Sequence, residues 1–338
     1  MSYQVHVQLD AAPAEAARRA TDLAACGIDG LFTFEGQHDV FFPLLAAASA
    51  VDVALFTNVA IALPRSPLHL AHAAYDLQVV SGGRFRLGLG SQVQAHIERR
   101  YGSTWSRPAA RMRDTVRAVK AIFDAWEGNS RLDFRGEFST HTLMSPYFDP
   151  GPSPFGPPPI QLGALGPVMT TAAAAVADGL LVMPFNSKRH FEERTLPAVE
   201  RGLNESARTP ADFEIIPQVI VGTGRDDAEL AAATTGVRRL VGFYASTPNY
   251  VPVLEVEGWQ DKQPTLAAMA RRGAFNDMAA LVDDTMLHTL AVIGTPEECA
   301  QQIADRFGDH AHQVCCYFPG YDISSANLTD LVAALHAT

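Results

Sequence analysis

The sequence contains little cysteine, few basic residues and no long apolar run. Its 4 cysteines in 338 residues (Cys26, Cys299, Cys315 and Cys316) include no CxxC pair, which excludes a disulfide-rich scaffold and favours reduced thiols. The 26 Lys and Arg residues against 37 Asp and Glu residues give a net charge of −11, which argues against a nucleic acid or an anionic membrane as partner. Gly, Pro or charge interrupts each apolar stretch before the roughly 18 residues that a membrane helix needs. We therefore expect a cytoplasmic protein that acts on a small molecule.

Several motifs of known chemistry are also missing. Gly88-Leu-Gly90 lacks the third glycine of a dinucleotide fingerprint, and neither a GxxxxGK[ST] loop nor a GxSxG turn occurs. His69 and His72 are three residues apart on a predicted helix, but no HExxH pattern accompanies them, so we expect no metal site. The first residues, Met1–Val5, show no basic region followed by an apolar one, so we expect no signal peptide.

A repeated alternation of β-rich runs and helical stretches dominates the sequence. Runs such as Leu31–Phe34 and Leu180–Met183 are almost continuously apolar, which is typical of parallel strands buried on both faces. Eight such units in order predict an α/β fold, a closed eight-stranded parallel β/α (TIM) barrel; an open doubly wound sheet is the alternative. The predicted strands are Tyr3–Leu9, Gly30–Phe34, Ala54–Leu63, Phe85–Leu89, Ile160–Leu162, Leu180–Met183, Ile215–Gly222 and Val314–Phe318.

Two insertions interrupt the single barrel domain that we predict for residues 1–338. The first, about 131–159, begins with a predicted hairpin and ends in Ser145–Pro159, where seven of fifteen residues are proline. It is either a surface loop or a wall of the pocket, since long loops are often functional. The second, about 246–295, carries Trp259 and two predicted helical pieces. It ends at Thr295, a predicted N-cap with Pro296 at the first helical position.

In a β/α barrel the active site lies at the C-terminal ends of the strands. Glu35 and His38 follow the second predicted strand, so a carboxylate and an imidazole can meet one ligand there. The structural alternative is that Glu35 accepts a hydrogen bond inside the barrel while His38 caps the next helix. Glycines of the segment Gly163–Pro167 precede a helix whose free N–H groups are suited to phosphate, although a plain tight turn is equally compatible with them.

In this order, the motifs resemble those of the bacterial-luciferase-like superfamily of flavin- and deazaflavin-dependent oxidoreductases. The resemblance covers essentially the whole chain and is closest to an actinobacterial deazaflavin-dependent subgroup. The segments that carry the superfamily pattern are Gly27–Glu35 with His38, Ala54–Ile61, Ser81–Ser91, Gly163–Pro167, Val176–Leu180 and Gly294–Glu298. The segments that carry the subgroup pattern are Glu35 to Asp39, Arg107–Arg113 and Phe134–Phe138.

The resemblance implies a homodimeric barrel with a tricyclic flavin or deazaflavin across its C-terminal mouth. It places a non-proline cis peptide at Asn58–Val59, against the ring, and Glu35 and His38 near the reacting ring. The acidic residue of the family's sugar-phosphate dehydrogenases is not evident near Val93, which argues against a sugar-phosphate substrate. The residues implied to contact the cofactor ring or phosphate are Thr57, Asn58, Val59, Gly90, Ser91, Gln92, Gly163, Ala164, Leu165 and Gly166.

Three functions are compatible with these residues. The first is hydride transfer between deazaflavin coenzyme F(420) and a hydrophobic organic substrate, with His38 as the proton group and Glu35 either setting its tautomer or binding the ring. The second is an FMN-dependent monooxygenase that uses oxygen. The third is a non-catalytic binding barrel whose mouth is filled by Phe41, Phe42 and Phe185.

Overall fold

Parallel strands form the centre of the computed structural model, which describes residues 2–338. The strands are β1 (Gln4–Gln8), β2 (Gly30–Thr33), β3 (Ala54–Thr57), β4 (Ala60–Ile61), β5 (Phe85–Gly90), β6 (Phe134–Arg135), β7 (Thr140–His141), β8 (Ile160–Ala164), β9 (Gly179–Val182), β10 (Glu214–Thr223), β11 (Val292–Gly294) and β12 (Gln313–Tyr317).

Eight of these strands close into a barrel, in the order β1, β2, β3, β5, β8, β9, β10 and β12, with β12 returning to β1. The long strand β10 completes the closure because Glu214–Pro217 pair with β9 whereas Gln218–Ile220 pair with β12. All of these pairings are parallel. The predicted eight-stranded β/α barrel is therefore confirmed, and the open sheet is excluded.

Helices surround the barrel and fill most of the connections. They are α1 (Pro13–Ala24), α2 (Phe42–Ala48), α3 (Pro67–Val80), α4 (Gln94–Arg99), α5 (Pro108–Trp126), α6 (Pro167–Val176), α7 (Lys188–His190), α8 (Leu196–Glu205), α9 (Asp227–Ala245), α10 (Val251–Glu257), α11 (Gln263–Arg271), α12 (Phe275–Met278), α13 (Asp284–Leu290), α14 (Pro296–Phe307) and α15 (Ser325–Ala337). Within residues 2–338, no helix combines the length and apolarity needed to cross a bilayer.

The alternation of side chains along the strands divides the core in two. Phe32, Phe56, Leu181, Ile216 and Cys315 pack together in the lumen, while the neighbouring positions face the helices. Cys315 therefore lies inside the barrel and Cys316 outside it, because successive residues of a strand face opposite sides. All four cysteines are buried and unpaired.

The hairpin predicted in the first insertion is present as β6 and β7. The second insertion differs in detail from the prediction. The second contains four helices, α10 to α13, together with β11, rather than two helical pieces. Its apolar core packs against Phe185 and Leu165, in the loops after β9 and β8. Thr295 caps α14, as predicted, in a reciprocal capping box with Glu298.

The element boundaries also depart from the sequence pattern. The single strand predicted over Ala54–Leu63 is interrupted at Asn58–Val59, so that β4 pairs with β5 instead of continuing β3. Helix α4 was not predicted. A π-helical turn, Phe191–Thr195, directly precedes α8, so the hydrogen bonding changes within one continuous helical stretch. Apolar periodicity predicts the presence of an element better than a local change of hydrogen bonding.

Two buried histidines make the stability of the fold sensitive to acid. Burial lowers the pKa of His6 to about 4. The positive charge of Arg86 adds to this lowering, whereas Asp29 opposes it. The imidazole is hydrogen-bonded to Gln313. Burial also lowers the pKa of His190 to about 4, and Arg194 adds to the effect. In the unfolded chain a histidine has a pKa of about 6.5. The unfolded chain therefore binds more protons between these values, and stability falls as the pH drops.

We expect the free energy of unfolding to fall by about 2 kcal/mol for each buried histidine between pH 7 and pH 5. Urea denaturation at both pH values measures this loss. His190→Asn removes one of the two groups, so its loss should be smaller than that of the wild type. The exposed His69→Asn variant is the control and should lose as much as the wild type. Identical losses in all three proteins would contradict the assignment.

Candidate active site at the barrel mouth

A cis peptide bond between Asn58 and Val59 forms a bulge at the C-terminal end of β3, as the resemblance implied. The Val59 side chain lies over two glycines of the neighbouring strands. A Cβ atom on Gly90 would lie 2.3 Å from Val59 Cγ2, and one on Gly163 would lie 3.0 Å from Val59 Cγ1. Only residues without a side chain fit beneath the bulge, so this part of the mouth has a smooth floor.

Thr57 supports this floor from below. Its hydroxyl donates to the Gly88 carbonyl oxygen at 2.6 Å and accepts from the Gly88 N–H at 2.9 Å. The residue is fully buried, and Gly88 leaves no room for a Cβ because the Thr57 carbonyl oxygen would lie 1.8 Å away. The hydroxyl of Thr57 therefore uses its hydrogen bonds within the barrel wall, and the implied contact between Thr57 and a cofactor stays a prediction.

Asn58 carries the unpaired polar group of the bulge. The residue is 8% exposed, and its side chain lies close to the Cys315 thiol of the lumen, although Nδ2 makes no well-formed hydrogen bond among residues 2–338. The amide therefore keeps the capacity to donate to a ligand or a water molecule. Its neighbours after β5 are half-buried: Ser91 Oγ donates to the Gln92 carbonyl, and Gln92 has a left-handed backbone (φ 60°) with Oε1 accepting from the Val93 N–H.

The loop of Gly163, Ala164, Leu165 and Gly166 leads directly into α6. Gly166 is the N-cap, and it has no side chain to satisfy the first N–H groups of the helix. The N–H groups of Gly166, Val168 and Met169 donate to no other group in the described part of the chain. Such a helix start favours an anion. Ala164 is buried, and Leu165 contacts the core of the second insertion, so the backbone is the accessible part of this loop.

Glu35 lies at the centre of a hydrogen-bonded cluster rather than beside His38. Its side chain is 7% exposed, and Oε2 accepts from Arg65 Nη1 at 2.5 Å and from the Ile61 N–H at 2.9 Å. Oε1 accepts from the Tyr101 hydroxyl at 2.8 Å. Burial, with this bond to Glu35, raises the pKa of Tyr101 to about 12. Glu35 therefore accepts hydrogen bonds within the rim, as the structural alternative has it, and no hydrogen bond joins it to His38 in the described residues. The predicted meeting of both side chains with one ligand stays a prediction.

His38 is exposed and makes no hydrogen bond within residues 2–338. It does not cap α2, because the Phe41 N–H at the start of that helix donates to Asp39 Oδ1 at 2.9 Å. Asp39 Oδ2 in turn accepts from Arg65 Nη2 at 3.2 Å. The imidazole is thus free to meet a ligand, held on a loop whose two carboxylates are fixed by Arg65.

The phenylalanines expected to fill the mouth in a non-catalytic barrel lie elsewhere. Phe185 is fully buried in the core of the second insertion, stacked on Tyr250 with ring centroids 5.8 Å apart. Phe42 is 60% exposed, and Phe41 packs under the Arg65 guanidinium at 5.9 Å. Phe185 is thus engaged in the insertion core and Phe41 with Arg65, and occlusion of the mouth by the three rings stays a prediction.

No sequence motif marked Tyr101, Gln8, Gln218 or Tyr317 as residues of the mouth. Tyr101 is 66 residues from Glu35, and no spacing signal connects the two. Gln8 and Tyr317 are the last residues of β1 and β12, and Gln218 lies in the middle of β10. The alternation of side chains turns all three toward the lumen and its mouth. That parity is the signal that could have identified them.

The arginine-rich segment of the subgroup resemblance has a structural role. Arg107 and Arg111 lie over the Phe138 ring at 4.8 Å and 5.7 Å, and Arg107 pairs with Glu137. Asp114 accepts from the Glu137 N–H and from the Ser139 hydroxyl. These contacts fasten the hairpin of the first insertion to the start of α5, outside the barrel mouth.

Two cavities border the helices around the barrel. One of about 550 Å³ lies between the start of α5, the hairpin and the start of α6, where Val168 lines it, and one of about 590 Å³ lies at the N-terminal end of the barrel. Two ion pairs line the second cavity, Arg86 with Glu214 and Lys120 with Asp178. Neither cavity contains the unpartnered imidazole of His38, and the mouth therefore remains the candidate active site.

A family model described as luciferase-like monooxygenase matches residues 2–313. The chain belongs to the luciferase-like monooxygenase family. An uncharacterized protein of Mycobacterium tuberculosis is 44% identical over 294 residues, which is 87% of this chain and 86% of that protein. A second protein of that organism, whose name assigns it provisionally to the coenzyme F(420)-dependent oxidoreductases, is 27% identical over 82% of this chain and 83% of its own length.

The luciferase-like fold is also that of the coenzyme F(420)-dependent tetrahydromethanopterin reductase of Methanopyrus kandleri. The two structures superpose with a TM-score of 0.80 at 21% identity, covering 99% of this chain and 97% of the reductase. At this identity the likeness establishes the barrel and its insertions alone. Family membership makes the chain an oxidoreductase of the luciferase-like class, and the mouth of its barrel is the part of the fold with free chemical groups.

Proposed function

We propose that this luciferase-like protein transfers a hydride between coenzyme F(420) and an organic substrate at the barrel mouth. The observation that carries the proposal is the bulge of Asn58–Val59 seated on Gly90 and Gly163. A planar ring needs a smooth surface of about its own width, and here two consecutive barrel strands lack side chains at that level. The bound cofactor would supply the hydride chemistry, and the protein supplies position, a dry pocket and one proton.

The residues present fit both ends of such a cofactor. Val59 and the amide of Asn58, whose Nδ2 is unpartnered, would contact the ring. The N–H groups of Gly166, Val168 and Met169 would hold a phosphate at the start of α6, with Ser91 and Gln92 on the strand alongside. A glycine cradle with helix N–H groups next to it is the chemistry that a ring carrying a phosphate requires.

His38 is the group that we assign to the proton. The imidazole is exposed and has no hydrogen-bond partner within residues 2–338, so it is accessible to a bound substrate. Glu35 acts through Arg65 and Tyr101 by holding the loop that carries His38. This assignment replaces the pairing of Glu35 with His38 by one in which Glu35 positions the loop.

The preference for deazaflavin over FMN comes from the relatives. The provisionally named oxidoreductase of Mycobacterium tuberculosis is similar to most of this chain, and its name supports coenzyme F(420) as the cofactor. The name of the family supports a monooxygenase, for which FMN and oxygen are the alternative. The same floor and N–H groups suit either ring. A comparison of the two binding affinities is therefore needed to identify the cofactor.

A fluorescence-quench titration with oxidised coenzyme F(420), and separately with FMN, tests the proposal. We expect the deazaflavin to quench with a dissociation constant at least tenfold lower than that of FMN. Tighter binding of FMN, followed by oxygen uptake on reduction, would replace the proposal by the monooxygenase. Binding of neither ring would remove the catalytic function from this mouth.

A further inference from the structure

The barrel mouth has two unlike halves. The strands β3, β5 and β8 contribute the bulge and the two glycines, and they offer backbone rather than side chains. On the opposite side, β10, β12 and β1 are neighbours in the sheet. This second half carries Gln218, Tyr317 and Gln8, which we call the polar wall.

The three side chains of the polar wall face the mouth. Gln8 is two residues beyond His6, whose ring contacts the lumenal Phe56 at 5.0 Å. Gln218 and Tyr317 are two residues beyond Ile216 and Cys315, which belong to the lumenal cluster. Residues two apart on a strand share a face, so all three point along the lumen toward its C-terminal opening. The register that pairs Val7 with Cys316 places Gln8 beside Tyr317.

The polar atoms of the wall are not used by the protein. No side-chain hydrogen bond of Gln8, Gln218 or Tyr317 occurs within residues 2–338, although each residue is partly buried. Because these groups are only partly buried, water can satisfy them, and a ligand that replaces this water breaks no hydrogen bond within the protein. The two amides and the phenol are therefore available to a ligand at the mouth.

The charges near the wall limit what that ligand is. Asp10, just after β1, is the charged group close enough to raise the pKa of Tyr317, together with the larger effect of burial. The nearest cation along β10, Arg225, is paired with Asp330 of α15. A carboxylate or phosphate bound to Tyr317 would therefore be repelled by the Asp10 carboxylate. Ile220, directly beside Tyr317 in the sheet, and the exposed ring of Phe34 add apolar surface.

We propose that Gln8, Gln218 and Tyr317 bind the substrate through a neutral oxygen, so that the substrate class is an uncharged, largely apolar carbonyl compound or its alcohol. This inference rests on the proposed function for what happens to the substrate, but not for its binding. The Tyr317 phenol donates to the substrate oxygen, and the two amides can donate or accept beside it. Tyr317 is in this account a substrate-binding residue that no sequence motif marks.

Binding of three probes with one carbon frame tests the inference: cyclohexanone, cyclohexanecarboxylate and cyclohexylamine. Ligand-observed NMR measures each dissociation constant with the full chain, alone and loaded with oxidised coenzyme F(420). We expect the ketone to bind and the carboxylate not to bind. Tyr317→Phe and Gln218→Leu should each weaken ketone binding roughly five- to tenfold, the effect of one hydrogen bond. Tyr147→Phe, which removes a phenol from a fully exposed loop position, should leave it unchanged.

The outcomes separate this inference from the proposed function. Equal ketone affinity in Tyr317→Phe and wild type, both folded by thermal melting, would overturn the polar wall. Tighter binding of the carboxylate or of the amine than of the ketone would overturn the substrate class. Ketone binding with no affinity for either ring cofactor would sustain the wall and remove the oxidoreductase. Cofactor binding without ketone binding would do the reverse.

Discussion

His38→Asn is expected to lower turnover roughly hundredfold while the affinity for the cofactor changes less than threefold. A side chain that moves a proton in the reaction contributes about 10²- to 10⁴-fold, and asparagine keeps the size and polarity of the imidazole without its titration. The protein should keep its melting temperature because His38 is exposed and bonds to no group in residues 2–338. Turnover is followed as the appearance of oxidised deazaflavin in the presence of the ketone.

The control for His38→Asn is His69→Asn, the same change at an exposed position on α3. Its turnover should equal that of the wild type. If His38→Asn retained full turnover, the proton would have to come from another group, and the loop after β2 would have no catalytic residue. A loss of cofactor affinity as large as the loss of turnover would make His38 a cofactor ligand instead.

Gly90→Ala should weaken cofactor binding about tenfold to hundredfold. The new Cβ would lie 2.3 Å from Val59 Cγ2, so the bulge has to move into the space proposed for the ring. Overpacking of this kind costs about 1–3 kcal/mol. Because the displaced valine enters the space of the ring, the binding free energy of the cofactor falls by a similar amount. The fluorescence titration measures the change directly.

Gly30→Ala is the matched control for Gly90→Ala. Its Cβ would lie 2.2 Å from His6 Nδ1, an equally close contact, but lower in the barrel. We expect it to reduce the melting temperature and to leave the affinity for the ring within twofold of the wild type. Equal losses of affinity in the two variants would mean that crowding the lumen at any level disturbs the mouth, and the glycine floor would have no special role.

The barrel could be predicted from the sequence because the same pattern of apolar run and helix occurs eight times. Eight apolar runs, each followed by a helix, leave few ways to bury all of them, and runs such as Leu180–Met183 identify strands covered on both faces. The position of the site followed from the same architecture. The boundaries of the second insertion did not, because short helices such as α12 depend on packing against their neighbours rather than on a strong pattern of their own.

The roles within the site could be predicted only in part. Strand ends placed Glu35, Asn58 and Gly163 on one rim, but no sequence spacing indicates which group a carboxylate bonds. Glu35 meets Arg65 and Tyr101 because the loops after β3 and β5 return over it. The polar wall could not be predicted because two glutamines and a tyrosine on three separate strands form no sequence motif. Only the register of the strands shows that they share one face.

The contacts of Glu35 have a consequence for how the rim can vary. One carboxylate ties three consecutive loops together, through Arg65 and Ile61 after β3 and Tyr101 after β5. A change of length in any of the three would disturb the other two, so this side of the rim behaves as one mechanical unit. The loops after β10 and β12 make no hydrogen bond to Glu35 in the described residues. Changes in these loops can therefore accommodate new substrates without altering the side that we propose for the cofactor.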